Sequence, residues 1–131
     1  MLIKVWGSRG SIPVCGKEYL RYGGDTTCLE IVTRSGDTFI VDAGTGIRRL
    51  GNQFMIDQRY TYHFLITHGH WDHLMGFPFF KPLYLDHVTI RGVDGDKTAV
   101  LLHHIHQPHH LTVVNHQGAF VGHEGLEGRN T

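Results

Sequence analysis

The sequence His68-Gly69-His70-Trp71-Asp72-His73 directly follows the apolar run Phe64-Leu65-Ile66-Thr67. Residues 60–67 are rich in β-branched and aromatic residues, which predicts a buried strand. Gly69 frees the backbone just after this strand, so the polar residues are expected on a loop at its carboxyl end. Imidazole nitrogens and carboxylate oxygens are common ligands of zinc and similar divalent ions. The stretch therefore predicts a metal site formed by His68, His70, Asp72 and His73.

A polar loop that carries histidines by chance is the alternative interpretation, because the chain holds 12 histidines in 131 residues. A high histidine content accounts neither for Asp72 nor for the strand that precedes the loop. We therefore favour a metal site.

Four other segments narrow the interpretation of this motif. They are Trp6-Gly7-Ser8-Arg9-Gly10-Ser11-Ile12-Pro13, Arg21-Tyr22-Gly23-Gly24-Asp25-Thr26-Thr27-Cys28, Asp42-Ala43-Gly44-Thr45-Gly46-Ile47 and Gly76-Phe77-Pro78-Phe79-Phe80. Together with His-x-His-x-Asp-His they resemble metallo-β-lactamase-fold hydrolases. The resemblance is to the branch that holds RNase Z, the PhnP-like cyclic phosphodiesterases and cyclic-nucleotide phosphodiesterases, and it covers about residues 1–92.

The resemblance implies an α/β (α+β) fold with a mixed β-sheet and flanking helices. Family members are αββα sandwiches of two similar halves, and 131 residues are about half of what such a sandwich needs. We expect residues 1–98 to form the N-terminal half of the domain, in a chain truncated relative to the family. Residues 99–131 are expected to form a His-rich tail of uncertain fold.

The resemblance also implies the chemistry. His68, His70, Asp72 and His73 would bind zinc, as two divalent ions if the site is complete, with manganese or iron as alternatives. Asp72 is the expected catalytic residue, holding one metal and orienting a metal-activated hydroxide that attacks a phosphodiester.

Two more residues have roles suggested by the resemblance. Asp42 is expected to lie beneath the loop of residues 67–73, which we call the metal loop, and to hold a ligand histidine in orientation. The alternative is an aspartate that stabilises only its own turn. Arg9 is a candidate phosphate contact, because its guanidinium matches phosphate oxygens. A solvated loop arginine is the equally weighted alternative for Arg9.

In the family, the remaining ligands come from later in the chain: a histidine, a bridging aspartate and a last histidine. No convincing counterpart follows residue 92, where carboxylates are scarce. Four tail histidines could substitute as ligands, although their spacing does not show that they do; the alternative is a surface run without metal. They are His103, His106, His116 and His123.

The composition of the chain indicates the class of protein, its possible partners and its location. Hydrophobic residues make up 40% of the chain and charged residues 18%, as in soluble globular domains. A formal net charge of zero gives no strong attraction to nucleic acid or to an anionic membrane. Cys15 and Cys28 are too few for a disulfide framework. With no apolar run of membrane-spanning length, a cytoplasmic location is expected.

Three functions remain in competition. The first is a phosphodiesterase that acts on a cyclic nucleotide or a related small phosphodiester. The second is RNase Z-like cleavage at tRNA 3′ ends, which the neutral charge and the lack of a basic arm argue against. The third is a truncated metal-binding domain without independent catalysis. An incomplete sandwich would expose an apolar sheet face, so a homo-oligomer is also expected.

Local patterns predict the elements. A helix is expected over Ile47–Asp57, and Phe77, Phe79 and Phe80 are expected in the core. A further helix is expected over Ala99–Ile105. The predicted strands are Leu2–Trp6, Cys28–Thr33, Thr38–Val41, Tyr60–Thr67, Val88–Gly92 and Leu111–Val114.

Overall fold

The chain has a mixed α/β fold, in which one helix packs against a mixed sheet. The structure, a computed structural model, describes the backbone of residues 1–85, 89–94, 111–115 and 120–122 and the side chains of residues 1–85. The described strands are β1 (Leu2–Gly7), β2 (Cys28–Val32), β3 (Thr38–Val41), β4 (Thr61–Leu65), β5 (Thr89–Asp94), β6 (Leu111–Asn115) and β7 (Phe120–Gly122). The helix is α1 (Ile47–Asp57), and short 3-10 helices cover Lys17–Tyr19, Trp71–His73, Phe77–Phe79 and Lys81–Tyr84.

The sheet follows chain order from β1 to β7. The pairs β1–β2, β2–β3 and β6–β7 are antiparallel, whereas β3, β4, β5 and β6 run parallel to one another. Val41 pairs with Leu65 at the end of the β3–β4 register, so these two strands end side by side. The loops that leave them therefore start at the same edge of the sheet.

The predicted fold class is confirmed at the level of a mixed α/β fold with a mixed sheet. The predicted strands are present, with ends that differ by two residues or fewer where they are described. The predicted helix Ala99–Ile105 and residue Val88 lie outside the described residues. Within the described chain, no helix has the length and apolar content needed to cross a membrane.

The helix α1 covers one face of the sheet and begins and ends as predicted. Ile47, Leu50, Gly51 and Phe54 are its buried residues, at the spacing of one helix face. Gln58 ends the helix in a left-handed conformation with φ of 54°. Because the sequence supplies no acidic residue in the first turn and no side-chain cap, packing against the sheet is the main stabilisation of this helix.

Aromatic rings fill the space between α1 and the sheet. Phe54 stacks on Tyr62 with a centroid distance of 4.9 Å, and Phe80 lies edge-on to Tyr62 at 5.4 Å. Phe77 and Phe80 are buried as predicted. The prediction for Phe79 is wrong, because its side chain is 62% exposed. The 3-10 helix Phe77–Phe79 has about three residues per turn, so Phe77 and Phe80 share the inner side and Phe79 points outward.

A buried carboxylate lies within the same layer. Glu30 on β2 is 1% exposed, and Arg59 donates to it at 2.7 Å while the Trp6 indole donates at 3.0 Å. Paired in this way, the charge avoids the large penalty of an isolated buried ion. This pair links the segment after α1 to β2, next to the edge of the sheet.

Candidate metal centre

Asp42 connects the two loops that leave β3 and β4. Its backbone N–H donates to the Leu65 carbonyl at 2.9 Å, and its carboxylate accepts hydrogen bonds from the Thr67 N–H at 2.8 Å and the Thr67 hydroxyl at 2.9 Å. The residue is 2% exposed and has a positive φ of 60°, a conformation that aspartate tolerates better than most residues. Asp42 therefore fixes the start of the metal loop at residue 67.

The same carboxylate also reaches the end of that loop. Asp42 Oδ2 lies 2.7 Å from His73 Nδ1, and the Ala43 N–H donates to the His73 carbonyl at 2.7 Å. With the Nδ1 proton directed at the carboxylate, the Nε2 lone pair of His73 is left free to bind an ion. The Asp42 carboxylate thus holds the His73 ring in one orientation.

Three imidazole rings of the loop lie against one another. The His68 centroid is 4.1 Å from that of His73 and 4.4 Å from that of His70. The Thr67 hydroxyl lies 2.9 Å from His68 Nδ1, which leaves the Nε2 side of that ring outward. His68 and His70 are exposed, whereas His73 is largely buried.

Asp72 joins the metal loop to the loop that follows β1. Its Oδ2 accepts a hydrogen bond from the Ser11 N–H at 2.9 Å and lies 3.4 Å from His73 Nε2. The Ser11 hydrogen bond, with smaller help from the nearby histidines, holds the pKa of the Asp72 carboxyl below its usual range, although burial opposes this. Asp72 is thus ionised at neutral pH beside the three imidazoles.

The donor set fits a divalent ion in chemical kind, since neutral imidazoles and a carboxylate are the ligands that zinc takes. Among the described side chains of residues 1–85, however, no three His, Cys, Asp or Glu residues are placed as a metal-binding group. His68 and His70 are both exposed, and the ring of His68 already lies against that of His73. The tail histidines proposed as substitute ligands lie outside the described residues.

Arg9 lies on the loop after β1, two residues before Ser11. Its N–H donates to the Asp25 carbonyl at 3.0 Å, and its guanidinium carbon is 4.8 Å from the centre of the Tyr19 ring. Arg9 Nε is buried and has no hydrogen-bond partner among the described residues. The structure thus places Arg9 on the loop that touches Asp72, with donor capacity left over.

Sequence reasoning missed four residues that contribute to this site. Ser11 acts through its backbone N–H at φ of 72°, which no side-chain pattern reveals. Thr26 and Thr45 bond each other reciprocally, each hydroxyl accepting the other's N–H at 2.9 Å and 2.8 Å, which locks the turn after β3. Thr67 could have been found, because a hydroxyl at the end of a strand next to a ligand histidine is a common orienting partner.

Comparison of the chain with protein-family models, with curated proteins and with solved structures gives no match.

Proposed function

We propose that this chain is a metal-dependent hydrolase of the metallo-β-lactamase fold, a phosphodiesterase that cleaves a cyclic nucleotide or a related small phosphodiester. One observation carries the proposal: a buried aspartate orients His73 within a cluster of three imidazoles and one carboxylate, at the carboxyl ends of two parallel strands. A polar loop without a ligand needs neither the orienting Asp42 nor the contact from Ser11.

His68, His70, Asp72 and His73 would hold the ion, with zinc expected and manganese or iron as alternatives. When bound, divalent ions supply a water of lowered pKa and positive charge for phosphate oxygens. The chain's own contribution is orientation: Asp42 fixes the ring of His73, and Ser11 fixes the carboxylate of Asp72. The ionised Asp72 can accept a hydrogen bond from the attacking water.

Arg9 is the proposed phosphate contact. Stacking on Tyr19 restricts its guanidinium, and the planar fork of that group matches phosphate oxygens. Arg9 and Ser11 belong to the same loop, and the Ser11 N–H is bonded to Asp72 of the metal loop. A phosphate bound at the metal loop would therefore lie next to the loop that carries Arg9. Free Cys15 and Cys28 are compatible with the cytoplasmic location that we propose.

A second function is favoured by a specific observation. The described residues hold an incomplete ligand set, and the alternative is therefore a truncated metal-binding domain without independent catalysis, in which residues outside the described part would complete the site. It differs from the first proposal in a single measurable property, the rate of hydrolysis by the metal-loaded protein.

The test is hydrolysis of bis(p-nitrophenyl) phosphate and of a 2′,3′-cyclic nucleotide by zinc- or manganese-loaded protein. The His70→Ala variant is expected to lose about 100-fold or more in kcat/KM. Substitution of residues that only orient a metal ligand typically costs about 10–100-fold, and loss of a ligand itself should cost more. His63→Gln is the matched control, because His63 lies on β4 and stacks on Phe39 away from the loop. Equal rates for the wild type and His70→Ala would refute the proposal, and tight metal binding without hydrolysis would support the alternative.

A further inference from the structure

Trp71 is a large apolar side chain that the protein leaves in solvent. It is 65% exposed, although tryptophan is highly buried on average. Among the described residues, its indole has no hydrogen bond, ion pair or ring contact. The other tryptophan, Trp6, is half-buried and donates its indole N–H to Glu30. Trp71 therefore has no role in packing that would explain its size.

The backbone beneath this side chain is fixed. The Trp71 carbonyl accepts hydrogen bonds from the N–H groups of Leu74 at 3.0 Å and Met75 at 2.8 Å. Leu74 is 2% exposed and anchors the 3-10 helix Trp71–His73 to the core. The exposed indole is thus mounted on a short, anchored element and loses little freedom when a ligand covers it.

Trp71 also stands between two candidate ligands, His70 and Asp72. Both Trp71 and Asp72 belong to the short 3-10 helix Trp71–His73, so the exposed indole is carried by the same element as two of the candidate ligands. Ile12, which is 62% exposed, follows the residue that bonds Asp72. A second exposed apolar side chain thus belongs to the loop that bonds Asp72.

We propose that Trp71 is a stacking platform for the base of a nucleotide whose phosphate occupies the candidate metal centre. This inference rests on the proposed function and names the group that the substrate carries beyond its phosphate. A nucleobase is flat and has a π-face that stacks on indole. A protein partner needs an interface of about 800 Å² per side. Trp71 is one aromatic side chain with polar neighbours in the chain, so it suits a small flat ligand better.

The first experiment uses the fluorescence of the two tryptophans. AMP is expected to quench the zinc-loaded protein saturably, and Trp71→Phe is expected to abolish the quenching because Trp6 lies on β1 with its indole bonded to Glu30, outside the metal loop. Ribose 5-phosphate, which carries the phosphate without the base, is expected to leave the emission unchanged. Repetition with metal-free protein separates stacking from phosphate binding.

Calorimetric titration of the same two probes measures the effect on affinity. Trp71→Ala is expected to raise the Kd for AMP about tenfold, which is within the effect of removing one aromatic partner of a base, and to leave the Kd for ribose 5-phosphate unchanged. Trp71→Phe is expected to keep most of the AMP affinity. Phe79→Ala is the control, since Phe79 is similarly exposed at 62% but lies outside the metal loop.

Three results would overturn the platform: an unchanged Kd for AMP in Trp71→Ala, an equal loss for both probes, or Trp71 emission that depends on protein concentration without nucleotide. The last would place Trp71 at a contact between copies. Failure of the proposed function looks different. Quenching by AMP without phosphodiester hydrolysis would support the stacking role of Trp71 and refute the phosphodiesterase activity. Hydrolysis without a difference between AMP and ribose 5-phosphate would support the activity and refute the stacking role.

Discussion

Asp42 is the residue through which the metal loop is held at both ends. Its buried carboxylate accepts from Thr67 and from His73 Nδ1, and its backbone adopts a positive φ. Removing this carboxylate leaves buried donors without acceptors, and alanine is strained at that φ. We therefore expect Asp42→Ala to lower the free energy of unfolding by about 3 kcal/mol, measured by urea denaturation.

Asp42→Asn separates orientation from stability. Asparagine keeps an acceptor and tolerates a positive φ, so about 1 kcal/mol or less should be lost, whereas the zinc affinity should still fall about tenfold. A stable Asp42→Ala protein with unchanged zinc affinity would contradict the assigned role.

Asp37 offers a pH test away from the site. The Ser35 hydroxyl donates to Asp37 Oδ2 at 2.5 Å, and this bond is the main reason that the pKa of the Asp37 carboxyl is lowered. A pKa lower in the folded than in the unfolded chain gives stability that is fully present above the unfolded value of about 3.9 and is lost as pH falls through the folded value. The urea midpoint of the wild type should exceed that of Asp37→Asn by a constant amount between about pH 5 and 7, and the difference should shrink below about pH 4.

Ser35→Ala provides the control for this effect. It should raise the Asp37 pKa toward the ordinary value in an NMR titration, because the strongest hydrogen bond to the carboxylate is removed. If Asp37 titrates at the same pH with and without the Ser35 hydroxyl, the assigned cause is wrong.

Among the elements, the turn after β3 and the metal loop are packed backbone to backbone. A Cβ at Gly44 would lie 2.5 Å from the Thr26 hydroxyl and 2.6 Å from the Asp72 carbonyl, whereas a Cβ at Gly69 would meet nothing within 4 Å. Gly44→Ala should therefore destabilise the protein by about 2 kcal/mol and weaken zinc binding, since the metal loop must shift. Gly69→Ala should change the unfolding free energy by less than about 0.5 kcal/mol.

Urea denaturation and zinc titration of this matched pair check the prediction. Similar behaviour of the two variants would mean that the close approach of Gly44 to the metal loop does not position the ligands. Loss of stability in Gly69→Ala alone would contradict the described loop.

Elements that depend on local pattern could be predicted from the sequence, as the helix Ile47–Asp57 and the strand Thr38–Val41 show. Buried positions in α1 follow the 3.6-residue period, and that period is a property of the chain alone. The parallel pairing of β3 with β4 is a long-range choice and was not specified by either strand. Phe79 was wrongly expected in the core because the tight 3-10 turn, not its hydrophobicity, decides which ring faces inward.

For the site, the candidate ligands and their loop could be named from the sequence because they are contiguous in it. The contacts that position them come from residues 61 positions away, as with Ser11 and Asp72, or 31 positions away, as with Asp42 and His73. A backbone donor such as Ser11 N–H has no compositional signature. Its contribution is visible only once the fold brings the two loops together.

At the scale of the whole molecule, β1 is an edge strand with an apolar outer face. Ile3 and Val5 lie on the same face of the strand and are 54% and 61% exposed. An exposed apolar edge favours association, and a formal net charge of zero does little to oppose it. We expect the protein to self-associate in sedimentation velocity, and the double variant Ile3→Lys/Val5→Lys to shift the distribution toward monomer.

Ile56→Lys is the control for this prediction, because Ile56 is 74% exposed but lies on α1. It should leave the distribution unchanged. A wild type that is monomeric at all concentrations, or an equal response of both variants, would argue against β1 as the contact.

The central claim is that residues 68–73 bind a metal ion, and metal content tests it most directly. Zinc per chain and zinc affinity should be measured in a background where all seven tail histidines are replaced by asparagine, so that they do not contribute: His103, His104, His106, His109, His110, His116 and His123. The account predicts at least one tightly bound zinc in this background and in His63→Gln, and its loss in His70→Ala. The same zinc content and affinity in all three proteins would contradict it.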